Sequence, residues 1–213
     1  MYSKIQYISQ GENEKDQLHN IKMALEAGCE WIQLRFKNAD EKSVFRIAER
    51  VKKISNFKFT FIINDYPFIA KKVDADGVHL GLEDMDLMTA REIVGDKKII
   101  GGTANTIQQV ISRIGEGANY IGLGPYRFTT TKAKLSPVLG LGGYQGILQV
   151  LHENKAKIPV YAIGGIEIAD LPELMTTGIY GIAVSGLVAN ATDKKLVVEH
   201  LKNILDGTIN NSW

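Results

Sequence analysis

The sequence predicts an α/β protein, a (β/α)8 TIM barrel formed as a single domain over residues 1–213, on three observations. Short apolar runs rich in Ile, Val and Tyr alternate eight times with longer stretches of helical period, the pattern of a parallel sheet wrapped by helices. A chain of 213 residues can hold one substantial core, at the short end for a closed barrel. No low-complexity segment, charge block or Pro-rich linker divides it. The alternative is an open doubly wound sheet, which carries a Gly-rich phosphate turn after its first strand; here that place holds Gln10-Gly11-Glu12-Asn13. The run Gly140-Leu141-Gly142-Gly143-Tyr144-Gln145-Gly146 has the wrong spacing for a dinucleotide fingerprint, and no P-loop pattern occurs.

Strands are expected at 5–9, 31–35, 60–64, 77–80, 99–102, 120–122, 160–163 and 181–185. Helices are expected at 14–27, 40–54, 66–73, 86–94, 106–116, 144–155, 168–177 and 194–205. In the first helix Leu18, Ile21, Ala24 and Leu25 form one inward stripe, and Gly28 supplies the stop. The longest irregular stretch, 124–143, follows the sixth strand, and loops of that length in compact domains are often functional. The tail, 210–213, is expected to fray.

A formal charge of +1 provides no overall field to steer the protein to nucleic acid or a membrane, so an anionic ligand must be held by local cations and backbone N–H groups. The one cysteine, Cys29, excludes an internal disulfide framework and suits a reducing cytosol; its helix-to-strand setting reads as a small buried hydrophobe rather than a nucleophile. The chain starts without the apolar stretch of a signal peptide, and no apolar run reaches the ~20 residues of a membrane span. A cytoplasmic protein acting on small molecules is expected; the oligomeric state, including a homo-oligomer, stays open.

In such a barrel the C-terminal strand ends line the site. The second strand ends Gln33-Leu34-Arg35-Phe36-Lys37, and alternation sends Gln33, Arg35 and Lys37 to one side. Two cations there either converge on an anion or form a solvated strand end. The third strand stops at Asn64-Asp65, where Asp65 is placed as a metal ligand or as the cap of the helix opening at Tyr66-Pro67. The fourth runs Gly77-Val78-His79-Leu80-Gly81 into Leu82-Glu83-Asp84. Asp65 and Asp84 would then hang from neighbouring strands, as carboxylates holding Mg2+ do; His79 reads as packed or supporting. After the sixth strand, Gly124-Pro125-Tyr126-Arg127-Phe128-Thr129-Thr130-Thr131-Lys132 is either a phosphate-handling segment or a polar loop. Gly164-Gly165-Ile166 after the seventh strand and Val184-Ser185-Gly186 after the eighth have the character of a backbone phosphate cradle.

In order and spacing, these residues resemble the thiamine phosphate synthases from about Gln33 to Ser185. The matching pieces are Gln33-Leu34-Arg35-x-Lys37, Ile63-Asn64-Asp65, Asp76 to Gly81 with Glu83-Asp84, Gly122-Leu123-Gly124-Pro125 with Thr129-x-Thr131-Lys132, Gly164-Gly165-Ile166 and Val184-Ser185. The resemblance implies a transferase in which the ring nitrogen of a hydroxyethylthiazole phosphate displaces pyrophosphate from a hydroxymethylpyrimidine pyrophosphate, through a dissociative path aided by Mg2+. It implies that Asp65 and Asp84 bind the metal and that Arg35, Lys37, Asn64 and Lys132 hold the pyrophosphate, Arg35, Lys37 and Lys132 counting as catalytic. Gln33 and Thr103 would lie near the pyrimidine. Thr129 and Thr131, with the backbone at Gly165, Val184 and Ser185, would hold the thiazole phosphate.

The sequence departs from the family pattern in places. Phe36 stands where a glutamate is usual and Leu82 where a glutamine often precedes the Glu-Asp pair. Gly101-Gly102-Thr103-Ala104-Asn105 replaces Gly-x-Ser-x-His, and Tyr126-Arg127-Phe128 is bulkier than the common loop. A related thiazole tautomerase would lack the paired aspartates and use a histidine where Asn105 stands. A non-catalytic sensor of thiamine intermediates would leave gathered charges without purpose. Both rivals are weaker than the synthase.

Overall fold

The structure, a computed structural model, describes residues 2–37, 39–128 and 136–207. Its strands are β1 (Ile5–Ile8), β2 (Trp31–Leu34), β3 (Thr60–Asn64), β4 (Gly77–Leu80), β5 (Ile99–Ala104), β6 (Tyr120–Leu123), β7 (Val160–Ile163) and β8 (Gly181–Val184). They pair in parallel in chain order, and β8 returns to β1 to close the expected (β/α)8 barrel. The helices among the described residues are α1 (Glu14–Glu26), α2 (Glu41–Lys52), α3 (Pro67–Lys72), α4 (Leu87–Val94), α5 (Ile107–Gly115), α6 (Gly140–Glu153), α7 (Leu171–Thr176), α8 (Gly186–Ala189) and α9 (Lys194–Leu205). None of them is long and apolar enough to cross a membrane. The tail expected to fray, and Thr129, Thr131 and Lys132, lie outside the described residues.

Alternation along each strand separates two apolar layers. Ile32, Leu34, Ile63, Val78, Leu80, Ile121 and Leu123 face outward and pack with helix residues such as Ile21, Val44, Ile47 and Leu148. Ile8, Trp31, Ile62, Tyr120, Tyr161 and Ala183 face inward as a separate cluster. Within it the Trp31 ring meets Tyr120 at 5.0 Å and Tyr161 at 5.2 Å, both edge-on, and Tyr120 meets Tyr161 at 5.6 Å. Such edge-to-face packing suits the ring quadrupoles. Because these rings come from strand beginnings, they fill the N-terminal half of the barrel and leave the C-terminal half to a cavity. Gly101 makes this possible: a Cβ there would lie 2.1 Å from the Tyr120 ring.

Local chemistry sets the helix starts. Asn13, Asp40, Asp86, Thr106 and Asp193 each accept a backbone N–H of the first turn, and Thr106 with Gln109 forms a full capping box. Gly28, at φ 96°, follows the α1 cap as the sequence predicts. The sixth helix departs from expectation. It begins at Gly140 rather than 144, so the glycine run expected in the loop is its first turn. Leu139 and Gly140 donate N–H bonds to the carbonyls of Pro125 and Tyr126, while Tyr144, Leu148 and Leu151 bury the following face. Packing here overrides the low helix propensity of glycine. The eighth strand is followed by the short α8, which the sequence pattern did not reveal. Cys29 is 2 % exposed and burial pushes its thiol up to about 12, which agrees with an inert apolar role.

Candidate active site

Each described residue that the resemblance assigns to metal or substrate borders one cavity of about 830 Å3 at the C-terminal mouth: Gln33, Arg35, Lys37, Asn64, Asp65, Asp84, Thr103, Gly165, Val184 and Ser185. The inward side of β2 climbs from the Trp31 floor through buried Gln33 and half-buried Arg35 to exposed Lys37 at the rim. Phe36 packs instead against the outer core, as alternation requires. Two residues from outside β2 fix Arg35: its N–H donates to Ser9 Oγ at 2.9 Å and its carbonyl accepts from Gln17 Nε2 at 3.2 Å. Ser9 Oγ in turn donates to Gln17 Oε1 at 2.7 Å, tying α1 to the site. Burial pulls the Arg35 pKa down while the charges of Asp65 and then Asp84 pull it back up, so the guanidinium stays charged beside both carboxylates.

Asp65 follows β3 at φ 68°, a left-handed conformation that aspartate tolerates better than most residues. Its N–H donates to the His79 carbonyl at 2.9 Å, extending the β3–β4 pairing by one step. The N-cap position of α3 falls one residue beyond Asp65. Tyr66 occupies the N-cap of α3 and makes no side-chain capping bond. Asp84 closes the loop after β4, one carboxylate oxygen accepting from the Gly81 N–H at 2.6 Å. That loop is braced by Arg113 of α5, which donates to the Gly81 carbonyl at 2.8 Å and to the Thr103 carbonyl at 3.3 Å. Arg113 is almost fully buried and paired with Glu116 at 2.7 Å.

Across the mouth, the turn after β7 is locked by the segment after β6. Tyr126 and Arg127 donate N–H bonds to the Ile163 and Gly164 carbonyls at 2.9 and 3.0 Å. The Arg127 guanidinium grips Asp170 through two bonds of 2.9 and 2.8 Å and donates to the Gly165 carbonyl at 2.9 Å. Gly164 and Gly165 sit at φ 92° and 67°, and a Cβ on Gly165 would lie 2.3 Å from Arg127 Cγ. Only glycine fits this turn. Asn105 does not border the cavity. Its side-chain amide donates to the carbonyls of Gly124 at 3.0 Å and Pro137 at 2.8 Å, bracing the loop on both flanks.

Under the cavity runs a chain of hydrogen bonds that the sequence did not disclose. Gln33 Nε2 donates to Gln6 Oε1 at 2.9 Å, and Gln6 Nε2 donates to Tyr120 Oη at 3.0 Å. Tyr120 Oη lies 3.0 Å from His79 Nδ1, and His79 Nε2 lies 3.0 Å from Thr103 Oγ1. Burial pushes the Tyr120 phenol up, which keeps it protonated. His79 therefore borders the site and also belongs to this chain. The available signal was Gln6 itself, a polar residue on the inward phase of the apolar run Ile5–Ile8.

The donor set can be tested against a metal. Among the described residues no group of three or more His, Cys, Asp or Glu gathers to hold an ion by itself. Asp65 and Asp84 border the cavity with the Asn64 amide beside them. Mg2+ is usually held by one or two carboxylates and completes its octahedron with water and substrate phosphate, so a paired hard-oxygen set of this kind fits it.

Known proteins resemble this chain along nearly its whole length. The family model described as thiamine monophosphate synthase matches residues 5–188. A thiamine-phosphate synthase of Flavobacterium johnsoniae is 53% identical over 206 residues, covering 96% of this chain and 97% of its own. One from Flavobacterium psychrophilum is 54% identical over 206 residues, covering 96% and 100%. The solved thiamine phosphate pyrophosphorylase of Pyrococcus furiosus superposes with a TM-score of 0.82 at 32% identity, covering 97% of each chain. With the family match spanning nearly the whole barrel, the chain belongs to the thiamine monophosphate synthase family and is an enzyme of that transferase class.

Proposed function

We propose that this enzyme joins the hydroxymethylpyrimidine pyrophosphate to hydroxyethylthiazole phosphate, giving thiamine phosphate and pyrophosphate. The methylene–oxygen bond to pyrophosphate breaks and a bond from that carbon to the thiazole nitrogen forms. The observation that carries the reading is the convergence on one cavity of Arg35, Lys37, Asn64, Asp65 and Asp84 with the Gly164-Gly165 turn facing them across the mouth. Two anionic groups, a diphosphate and a monophosphate, match two differently built ends of one site.

In this reading Arg35, Lys37 and Asn64 bind the departing pyrophosphate, and Arg35 strengthens that contact because half-burial lowers the dielectric around it. Asp65 and Asp84 would hold Mg2+, which when bound neutralises charge on the pyrophosphate oxygens. Gln33 and Thr103 orient the pyrimidine from the cavity floor. The backbone at Gly165, Val184 and Ser185 cradles the monophosphate. Lys132, Thr129 and Thr131, outside the described residues, complete the two anion sites as the family pattern implies. The thiazole nitrogen is itself the nucleophile, so the protein's work is alignment and charge stabilisation. The role of Asn105 as a loop brace counts against the tautomerase, whose histidine would stand there.

The test is a coupling assay with purified enzyme, Mg2+ and both substrates. Thiamine phosphate and pyrophosphate are expected in equal amounts, dependent on Mg2+. Binding of both ligands without product would reject the synthase reading.

A further inference from the structure

We propose that Gln6 and Tyr120 are positioning residues: joined to Gln33, His79 and Thr103, they form one hydrogen-bonded unit that sets which atoms of the cavity floor donate and which accept toward the amino-substituted ring of the substrate. The inference rests on the reading that the pyrimidine occupies that floor. Gln33, His79 and Thr103 border the cavity, whereas Gln6 and Tyr120 do not; Tyr120 belongs to the inner aromatic cluster beneath it. Gln6 is 1 % exposed and Tyr120 fully buried, so neither can satisfy its polar atoms with bulk water.

Proton counting gives the unit a direction. The Tyr120 oxygen accepts from Gln6 Nε2, so its single proton goes to its other neighbour, His79 Nδ1. His79 Nδ1 must then be the bare nitrogen and Nε2 the protonated one, donating to Thr103 Oγ1. A doubly protonated imidazole would leave the phenol proton facing two donors. At one end the Thr103 hydroxyl proton is turned away from His79. At the other end one Nε2 hydrogen of Gln33 goes to Gln6, which fixes the amide orientation and leaves Oε1 on the opposite side as an acceptor. The floor thus presents an acceptor at Gln33 and a donor at Thr103, and the two settings are linked through Tyr120. Reversing one end requires reversing the whole unit, an arrangement that networks of buried hydrogen bonds hold firmly. A ring carrying an amino donor and aromatic nitrogen acceptors is the class of ligand such a floor selects.

The experiment uses Tyr120→Phe, which keeps the ring packed against Trp31 and Tyr161 and removes only the hydroxyl. Imidazole nitrogens of the 15N-labelled enzyme without substrate are read by NMR, with His79 identified by its loss in His79→Gln. The wild type should show His79 with bare Nδ1 and protonated Nε2, and Tyr120→Phe should give a mixture of the two tautomers. In the coupling assay Tyr120→Phe should raise the KM for the pyrimidine pyrophosphate about tenfold and leave that for the thiazole phosphate within about twofold, the loss of one buried hydrogen bond. Gln6→Met, which breaks the other arm, should shift the same KM in the same direction. A doubly protonated or Nδ1-protonated His79 in the wild type would overturn the proposal. So would an unchanged tautomer in Tyr120→Phe, or equal changes in both KM values. Failure of the wild type to couple the substrates would instead remove the functional reading, and the substrate-free NMR signal separates the two failures.

Discussion

Asp65 stands where two demands meet, since its backbone occupies a left-handed conformation and its carboxylate borders the cavity. Alanine at φ 68° would add roughly 1–2 kcal/mol of backbone strain and confuse the two effects. Asparagine tolerates that conformation and removes only the charge. Asp65→Asn is therefore expected to keep the wild-type Tm while kcat falls by about a hundredfold or more, read by the coupling assay across a Mg2+ titration. An unchanged kcat with the same Mg2+ dependence would show that the Asp65 carboxylate takes no part in turnover. The position of such residues was legible in the sequence, because strand ends and alternation fix where Arg35, Asp65 and Asp84 must fall. Their supports were not. Ser9 and Gln17 reach Arg35 from another strand and helix, and nothing in local periodicity marks a bond formed across the barrel.

Single helices are started by side chains whose chemistry differs. Asp86 accepts the Thr89 N–H at 2.9 Å and Asp40 accepts the Ser43 N–H at 2.7 Å; these bonds hold both carboxyls below the ordinary aspartate range. A carboxyl lowered by folding stabilises the native state above its unfolded pKa, and that contribution is lost as pH falls through the folded value. The Tm gap between wild type and Asp86→Ala should be full at neutral pH and shrink once pH drops below the ordinary aspartate range. Thr106→Ala removes an uncharged cap, costing about 1 kcal/mol, and its gap should stay flat over the same range. At this scale the sequence located the elements well, yet it misread the start of α6. Glycines there signal a loop by propensity, and only the bonds to Pro125 and Tyr126 with the buried face behind them reveal a helix. Arg127 was noted as bulky but its grip on Asp170, 43 residues away, depends on how two loops meet.

The whole barrel depends on an interior divided between aromatic filling below and a polar cavity above. Gly101 is the position where that division is least forgiving, because a Cβ would meet Tyr120 Cζ at 2.1 Å and its hydroxyl oxygen at 2.5 Å. Gly101→Ala is expected to lower stability by about 1–3 kcal/mol, an overpacking cost, measured by denaturant unfolding. Because the clash displaces the phenol, the same variant should also weaken binding of the proposed pyrimidine substrate. A stable variant with normal kinetics would mean the floor rearranges freely. Barrel closure itself was legible from eight repeats of one pattern, but the size of the residues filling it could be read only once the register was known.

The chain has two tryptophans, and one of them, Trp31, forms the base of that floor, while Trp213 ends the tail. Trp31 is screened from water and ringed by Tyr2, Tyr120 and Tyr161 at 5.0 to 5.2 Å or in contact through one another. Light absorbed by those tyrosines can pass to the indole over such short separations, and an indole in so dry a setting emits at the blue edge of its range. The enzyme thus carries an internal optical probe of the floor of its cavity. In a Trp213→Phe background its colour would report, during unfolding or ligand titration, whether water has reached the base of the barrel.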